Sequence, residues 1–542
     1  MSSFSRSQVT RKPATSSSHG IVAAQHRQAA AIGAEVLAAG GNAVDAAVAV
    51  SFAIGVVEPW MSGPAGGGAA MLWHAGESRA EALFYGMRAP AGLDPADFPL
   101  TGRASTGDLF PWKEVEGDRN VMGATAVAVP GLVDGLGKAH ARYGTLPWKD
   151  LVMPAVALAK EGFLVDWYVA LLITAAARHL ARDPDAAARF LDDGRWPKVA
   201  NWTALSDLRI DMSSMAPSLQ EIAERGPRAL YEGDLAAALA KDVAAKGGSL
   251  RLSDLKAYEA EWQEPLSFSY RAARLHVTPR LTAGPTIADA FARLEAGFTP
   301  GALPNGAAFA AYAAALKGAY AQRLAHDGAG AGDTDHPGTH RGAHPGEHPA
   351  APACTTHFSV VDSQGNMIAV TQTLLSSFGA RVVSPSTGLL LNNGIMWFDP
   401  EPGKPNSLAP GKRCLMNVCP LVGEVPGGKE GDRHFALGAS GGRKIMPAVA
   451  QLASFLADFG MTLEEAFHHP RIDVSGGDTV IADDSLPAAT LAALAQADAV
   501  VATRRTPYPY AFACPAGVLR EGKQNWGATE PFSPWGDAVA AG

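Results

Sequence analysis

Cysteine is scarce in this sequence. The 542 residues include only four cysteines, Cys354, Cys414, Cys419 and Cys514. So sparse a set excludes the disulfide framework that is typical of small secreted proteins. Cys414 and Cys419 lack partners at the spacing of a zinc site, so buried packing is their expected role. We predict no metal and no other cofactor.

Long apolar runs are missing as well. No stretch of about 18 residues is apolar enough to suggest a transmembrane helix. Residues 1–19 are rich in serine and threonine and contain no apolar core of a signal peptide. We therefore expect a flexible N-terminus over 1–19 and a cytoplasmic protein without a membrane partner. A formal net charge of −8 gives no reason to expect nucleic acid.

What the sequence does contain is enough apolar material for a large core, with 47% hydrophobic residues. An Ala-rich helix is predicted over Gln28–Ala38, and Asp45 is expected to cap a second, buried helix that runs to about Val57. Glycines then cluster before a strand that ends near Trp73. A phosphate-binding loop would need a Lys-Ser/Thr pair that is absent here. The glycines therefore indicate close approach of backbone to backbone.

Residues 327–354 consist mostly of Gly, His and Pro. A histidine recurs at every fourth position, at His336, His340, His344 and His348. On a helix these side chains would align and form a metal site. Pro337, Pro345 and the glycines oppose a regular helix, so we expect a disordered linker instead.

The stretch from Cys354 to Thr373 is typical of a β-hairpin. Residues 358–361 favour a strand, Asp362–Asn366 is a turn cluster, and Met367–Val370 forms the return strand. A loop centred on Gln364 sets a register that places Thr355 opposite Thr373, with Cβ atoms about 5 Å apart.

This hairpin suits one kind of catalysis. If the chain is cut between Cys354 and Thr355, the new α-amine lies beside the Thr355 Oγ. An α-amine has a pKa near about 8 and can act as a general base at neutral pH. Thr355 would then be the nucleophile and Thr373 would orient it. From the hairpin alone, two ordinary threonines of a surface strand remain the simpler interpretation.

The wider sequence resembles the gamma-glutamyltranspeptidase family. These N-terminal-nucleophile hydrolases cut themselves before the first threonine of a Thr-Thr-His motif, here Thr355-Thr356-His357. The resemblance includes the block Gly33–Gly68 and the C-terminal segment Gly527–Pro531, and it runs from about Gly20 to the end with one gap before Cys354. By resemblance, Gly441 and Gly442 form the oxyanion hole.

The resemblance also implies the architecture. We expect an α+β fold, a four-layer α/β/β/α sandwich of mostly antiparallel sheets, as one structural domain. Cleavage would divide it into a large subunit, 20–354, and a small subunit, 355–542. These would remain together as a heterodimer, with further dimerisation left open.

The substrate pocket departs from the family pattern. The arginine that usually clamps the substrate α-carboxylate aligns with Gly86, and Arg88 is the candidate substitute. Polar positions of the family are replaced at Leu375, Gly394, Trp397, Met416 and Asn417. Of these, Leu375, Trp397 and Met416 suggest a smaller or more apolar acyl pocket. Charge-assisted hydrogen bonds are worth roughly 1.5–3 kcal/mol each, so γ-glutamyl affinity should suffer.

The rebuilt pocket resembles the acylase and oxamate amidohydrolase members of the family. We therefore expect a threonine amidohydrolase that acts on a small amide through an acyl-enzyme. A true gamma-glutamyltransferase or glutathione hydrolase is the alternative within the enzyme class. A relative that has lost activity and is kept for binding is the further alternative.

Overall fold

The structure is a computed structural model that describes residues 10–104, 112–200, 207–328, 353–474, 479–508 and 511–542. Its helices, in chain order, are α1 (Arg27–Ala38), α2 (Ala43–Val57), α3 (Leu132–Tyr143), α4 (Trp148–Glu161), α5 (Trp167–Leu180), α6 (Pro184–Phe190), α7 (Ala216–Arg225), α8 (Gly233–Ala245), α9 (Leu252–Lys256), α10 (Gly284–Gly297), α11 (Gly306–His326), α12 (Ile445–Asp458), α13 (Leu463–His468) and α14 (Ala488–Leu494).

The strands are β1 (Thr15–Ser17), β2 (Ile21–Ala24), β3 (Gly67–His74), β4 (Arg79–Tyr85), β5 (Leu100–Ala104), β6 (Lys113–Val115), β7 (Phe163–Leu164), β8 (Leu191–Asp192), β9 (Trp196–Pro197), β10 (Arg209–Ile210), β11 (Glu261–Gln263), β12 (Leu266–Tyr270), β13 (Ala273–Val277), β14 (Ala353–Val361), β15 (Met367–Ser376), β16 (Leu421–Val425), β17 (Arg433–Ser440), β18 (Ile472–Asp473), β19 (Thr479–Asp483), β20 (Ala499–Thr503), β21 (Cys514–Glu521), β22 (Gln524–Thr529) and β23 (Asp537–Ala540).

Two seven-stranded sheets form the centre of the molecule. The first sheet has the order β11-β4-β3-β15-β14-β2-β23, and the second has the order β1-β22-β21-β17-β16-β13-β12. The pairings within both sheets are antiparallel. The two sheets pack face to face through a shared apolar cluster that includes Met71 and Val361 of the first and Ala436 and Val518 of the second.

Helices cover the outer face of each sheet. Side chains of α1, α2, α4, α5, α7 and α8 form one core with the first sheet. Side chains of α10, α11, α12 and α13 form another core with the second sheet. The predicted four-layer α/β/β/α sandwich is confirmed, because apolar helices and alternating strands bury one another in this order.

The start of β14 lies at one end of the sandwich, where strands of both sheets begin or end. In the first sheet β2 and β15 run antiparallel to β14, so β15 ends opposite the start of β14 and β2 ends opposite Phe358. In the second sheet β17 ends above this point, because a Cβ placed on Gly438 would come within 2.2 Å of the His357 ring. Antiparallel pairing also brings the ends of β4 and β13 to this end of the sandwich.

Three predicted boundaries differ from the structure. Thr15–Ser17, within the expected flexible N-terminus, pairs with β22 at the edge of the second sheet, where its backbone groups find partners. Cys354, placed in the expected linker, is already part of β14.

Residues 329–352, with the histidine repeat, lie outside the described residues. The α2 cap is Asn42, which accepts from the N–H groups of Val44 and Asp45, and Asp45 completes a capping box.

Candidate active site

The hairpin has the predicted register over most of its length. Val361 pairs with Met367, and the pairing continues to Thr356 opposite Gln372. A bulge follows, because Cys354 pairs with Leu375 and an extra residue of β15 is inserted opposite Thr355. Bulges re-aim side chains next to active sites. Here the bulge lies where the sequence places the nucleophile.

Two threonine hydroxyls converge on the carbonyl group of Cys354. Thr355 Oγ1 lies 2.8 Å from the Cys354 carbonyl oxygen, and Thr373 Oγ1 donates to the same oxygen at 2.5 Å. The two hydroxyl oxygens are 3.3 Å apart. All of these groups are buried. The carbonyl before Thr355 is therefore polarised by one hydroxyl while the other lies within reach of it.

The backbone after Thr373 completes this arrangement. The N–H of Leu375 donates to Thr373 Oγ1 at 2.7 Å. Leu375 has a φ of 91°, a conformation that is costly for a residue with a side chain. Because Thr373 Oγ1 accepts a hydrogen bond from the Leu375 N–H, its own proton is directed at the Cys354 carbonyl oxygen. Strain of this kind tends to persist where function requires it.

Glycines at the start of β3 and just before it let the backbone approach the threonines closely. A Cβ on Gly66 would lie 2.4 Å from the Thr373 carbonyl oxygen, and one on Gly68 would lie 2.2 Å from the Thr371 carbonyl oxygen. No larger residue fits at these positions. The prediction that the glycine cluster serves close backbone approach is confirmed.

Thr356 faces the helix layer and contacts an acid. Its Oγ1 donates to Glu58 Oε2 at 2.8 Å, directly beyond the end of α2. Burial raises the pKa of Glu58 to about 8, against a smaller lowering by the hydrogen bond from Thr356. The carboxyl next to the proposed cleavage strand is thus mostly protonated at neutral pH.

His357 faces the opposite way, toward the second sheet. Its Nδ1 and Nε2 lie 2.8 Å from Thr371 Oγ1 and 3.0 Å from Ser359 Oγ. Burial lowers the pKa of His357 to about 3, so the ring is neutral. The neutral ring is fixed by two hydroxyls and packs closely against the backbone of Gly438 in the second sheet.

The predicted oxyanion glycines lie at the same end of the sandwich. They follow β17, in a short 3-10 turn over Gly442–Lys444 that packs against β14 and leads into α12. Their φ angles, 129° for Gly441 and 58° for Gly442, are in the region that favours glycine. The turn therefore packs against β14 in a conformation that other residues would adopt only with strain.

The predicted pocket residues gather in one apolar cluster. Leu375, Trp397 and Met416 are buried together with Phe84 and Met87. Gly394 packs tightly beside them, since a Cβ there would lie 2.8 Å from Ala128 Cβ. Asn417 accepts a hydrogen bond from Arg323 at 3.2 Å, while its own amide nitrogen is buried without a partner in the part of the chain that is described.

Arg88 is directed elsewhere. Its Nη2 donates to the carbonyl oxygen of Asp254 at 3.1 Å, and its Nη1 donates to that of Ala257 at 3.3 Å. Both carbonyls lie at the end of α9, where unpaired oxygens attract a cation. The guanidinium is therefore committed to this helix end, which argues against its predicted role as a carboxylate clamp.

Cysteine chemistry finds little support at the cleavage point. All four cysteines are free and buried. Burial raises the pKa of the Cys354 thiol to about 12, so it stays protonated and is a poor nucleophile. Within the described ranges, no group of three His, Cys, Asp or Glu side chains is placed to hold a metal ion.

None of the helices in the described ranges is both long and apolar enough to cross a bilayer. The cytoplasmic location stays a prediction.

Two contributors to this site were missed in the sequence. Glu58 carried a signal, since it is a carboxyl that directly follows a helix buried along its whole length. The main-chain donor of Leu375 carried none, because its side chain alone suggested a pocket wall. Its role comes from the bulge in β15, which no local sequence pattern predicts.

The architecture and the site define the class of protein. The fold is that of the N-terminal-nucleophile hydrolases, and it superimposes on the crystal structure of cephalosporin acylase from Bacillus halodurans with a TM-score of 0.83, at 25% identity over 98% of each chain. The family profile of gamma-glutamyltranspeptidase matches residues 29–341 and 329–539. The chain belongs to the gamma-glutamyltranspeptidase family.

Similar proteins in this family include acylases and glutathione hydrolases. The acylase ACY 1 proenzyme of Pseudomonas sp. (strain V22) is 37% identical over 488 residues, which cover 86% of this chain and 84% of that protein. The glutathione hydrolase proenzyme of Escherichia coli (strain K12) is 30% identical over 498 residues, covering 83% and 80%. Acylases and hydrolases of this family are enzymes, and the comparisons support an acyl amidohydrolase in general terms.

Proposed function

We propose that the protein is a self-processing threonine amidohydrolase that hydrolyses an acyl amide through an acyl-enzyme. The observation that carries this proposal is the convergence of Thr355 and Thr373 on the Cys354 carbonyl oxygen, at 2.8 and 2.5 Å. The higher identity to an acylase proenzyme than to a glutathione hydrolase supports the acyl substrate.

Self-cleavage would proceed in two steps. Thr355 Oγ attacks the carbonyl carbon of Cys354 while the Thr373 hydroxyl donates to the developing oxyanion. The Oγ proton passes to the amide nitrogen of Thr355 as the C–N bond breaks, which leaves an ester on Thr355 Oγ and a free α-amine. Water then hydrolyses the ester to the Cys354 carboxylate and the free Thr355 hydroxyl. The products are residues 1–354 and 355–542 as two subunits of a heterodimer.

Turnover would use the same atoms. The Thr355 α-amine takes the proton from Oγ as Oγ attacks the substrate amide carbonyl, and the N–H groups of Gly441 and Gly442 hold the oxyanion. The protonated α-amine then gives its proton to the leaving amine. Water releases the acyl group as an acid and restores the free enzyme.

Processing is tested by substitution. Purified wild type should show two bands on a denaturing gel, with a new N-terminus at Thr355 by sequencing. Thr355→Ala should give one uncut chain, whereas Cys354→Ala should still be cut, because a protonated thiol contributes nothing to attack. Cleavage of Thr355→Ala would place the nucleophile at another residue, and an uncut wild type would favour a binding relative.

The substrate is tested by a panel of amides. The apolar cluster around Leu375, Trp397 and Met416 supports a small or apolar-stemmed acyl group, and oxamate stays an untested candidate. With Gly86 at the clamp position and Arg88 engaged elsewhere, we expect weak hydrolysis of γ-glutamyl anilides. Efficient turnover of glutathione would instead support the ordinary function of the glutathione hydrolases.

A further inference from the structure

A buried carboxyl lies beside the strand that would carry the new N-terminus. Glu58 directly follows α2, and its Oε2 accepts a hydrogen bond from Thr356 Oγ1 at 2.8 Å. Thr356 would be the second residue of the small subunit. The carboxyl also acts on the residue before the cleavage point, because burial raises the pKa of the Cys354 thiol and the charge of Glu58 adds a smaller rise. The α-amine released by cleavage belongs to Thr355, between these two residues.

The backbone of Glu58 is fixed against the hairpin. The carbonyl oxygen of Glu58 accepts a hydrogen bond from the N–H of Met61 at 3.0 Å. The carbonyl oxygen of Met61 in turn accepts from the N–H of Leu374 at 3.0 Å, next to the bulge of β15. Glu58 is therefore tied to β14 through its side chain and to β15 through the turn that follows it.

The other groups around this carboxyl do not neutralise it. A cavity of about 20 Å³, enough for one water molecule, is lined by Glu58 and by four other titratable residues, namely Tyr168, Arg505, Cys514 and Glu530. Arg505 is 3.4 Å from Asp483 and 3.6 Å from Glu530, so its charge is already paired. Burial raises the pKa of Tyr168, so its phenol stays neutral. Among the described residues, Glu58 forms no ion pair.

Cleavage would place a second titratable group next to this carboxyl. An α-amine has a pKa near about 8, and burial raises the pKa of Glu58 to about 8. Both groups therefore exchange their proton in the same range of pH. A carboxylate close to an amine favours the charged amine and raises its pKa by about 1–3 units. Two groups that interact this strongly titrate as a pair.

We propose that Glu58 is a positioning residue for the catalytic α-amine: its carboxylate holds the Thr355 amine as an ammonium ion, and its neutral form releases the amine to act as the base. Over the intermediate range of pH the two groups share one proton. The inference rests on the proposed amidohydrolase function and concerns how the base of that site is controlled.

The test measures the titration of the α-amine directly. Trace amounts of acetic anhydride acetylate a neutral amine and release acetate, so the rate at each pH follows the neutral fraction. Mass spectrometry of the peptide that begins at Thr355 gives this rate for the cut protein. In wild type the curve should be broader than the titration of one isolated group. In Glu58→Gln it should narrow to one group, with its midpoint lower by about 0.5–1 pH unit.

A merely structural role of Glu58 would not produce this result, because the glutamine oxygen still accepts the hydrogen bond from Thr356. Glu35→Gln is the matched control. It makes the same exchange at an exposed position of α1, so it changes the net charge equally. Its curve should coincide with that of wild type. The inference is overturned by equal midpoints in wild type and Glu58→Gln, or by an equal shift in Glu35→Gln.

The wild-type curve alone keeps the inference testable if Glu58→Gln fails to fold or to be cut. A curve that fits one isolated group rejects the shared proton without any variant. A failure of the proposed function has a different signature, since an uncut wild type has no amine at Thr355 and removes both proposals together. A cut wild type with an uncoupled amine rejects the role of Glu58 and leaves the amidohydrolase standing.

Discussion

Glu58 illustrates how a single buried group can couple the site to pH. Its carboxyl is fully buried, and it accepts a hydrogen bond from Thr356, the residue after the proposed nucleophile. Burial raises its pKa from 4.5 to about 8. The folded state therefore binds one more proton than the unfolded state between these values, so folding stability should fall as the pH rises from about 4.5 to about 8.

Glu58→Gln should remove this slope. The amide oxygen can still accept from Thr356 but does not titrate, so the variant gains stability relative to wild type as the pH rises. The difference in unfolding free energy between pH of about 5 and 8.5 should be about 3–5 kcal/mol, since one pKa unit corresponds to 1.36 kcal/mol. Denaturant unfolding of both proteins at several pH values measures it.

His357 does not obscure that experiment. Burial lowers its pKa to about 3, so it contributes stability that rises with pH below about 6.5, the opposite sign. This contribution is present in both proteins and cancels in the difference. A difference that stays constant with pH would show that Glu58 titrates near its ordinary value.

At the scale of elements, the hairpin carries the proposed chemistry through its bulge. The extra residue of β15 brings Thr373 Oγ1 to 2.5 Å from the Cys354 carbonyl oxygen and leaves the Leu375 N–H behind it. A regular ladder would pair these backbone groups with each other and not with a hydroxyl. The bulge therefore builds a donor for an oxyanion before the chain is cut.

Thr373→Val tests this donor. Valine has nearly the shape of threonine but no hydroxyl, so the Cys354 carbonyl oxygen loses the donor from Thr373 and the Leu375 N–H loses its acceptor. Self-cleavage should slow by about 10²–10³-fold, as for other oxyanion donors. The rate of conversion from one band to two on a denaturing gel measures it.

Thr371→Val is the matched control for that variant. Thr371 is on the same strand two residues earlier, and its hydroxyl contacts His357 and not the Cys354 carbonyl. It should leave the cleavage rate within a few-fold of wild type. Equal slowing in both variants would assign the effect to distortion of β15.

The hairpin also shows what sequence can predict. β-formers on both sides of a turn cluster fix the pairs from Val361–Met367 to Thr356–Gln372, because the loop centred on Gln364 sets which residues lie opposite each other. The bulge beyond them depends on contacts from β3 and from the end of α2, which lie far away in sequence. Local pattern therefore predicts the register but not the strained N–H of Leu375.

At the scale of the whole molecule, contacts between distant parts of the chain limit what the sequence can predict. The resemblance of the Thr355-Thr356-His357 motif and its flanking segments to the family implied the four-layer sandwich, and the structure confirms it. The direction of Arg88 was not accessible in this way, because it depends on the end of α9, more than a hundred residues further along the chain. Pocket chemistry in this fold is decided by such distant contacts.

Strand order also decides what happens to the molecule after the proposed cut. In the first sheet, β14 and β15 of the small subunit lie between β2 and β3 of the large subunit, and in the second sheet β16 of the small subunit pairs with β13 of the large one. Each sheet thus holds strands from both products. Separating them would break backbone ladders and expose the core between the sheets.

We therefore expect the two products to stay together in native buffer. Size-exclusion chromatography should give one peak that contains both chains at equal molar amounts, and the chains should separate only in denaturant. The uncut Thr355→Ala protein should elute at the same volume, because cutting one peptide bond at the start of β14 removes no strand from either sheet. Two peaks for native wild type would show that the sheets do not hold the subunits in the way that their strand order requires.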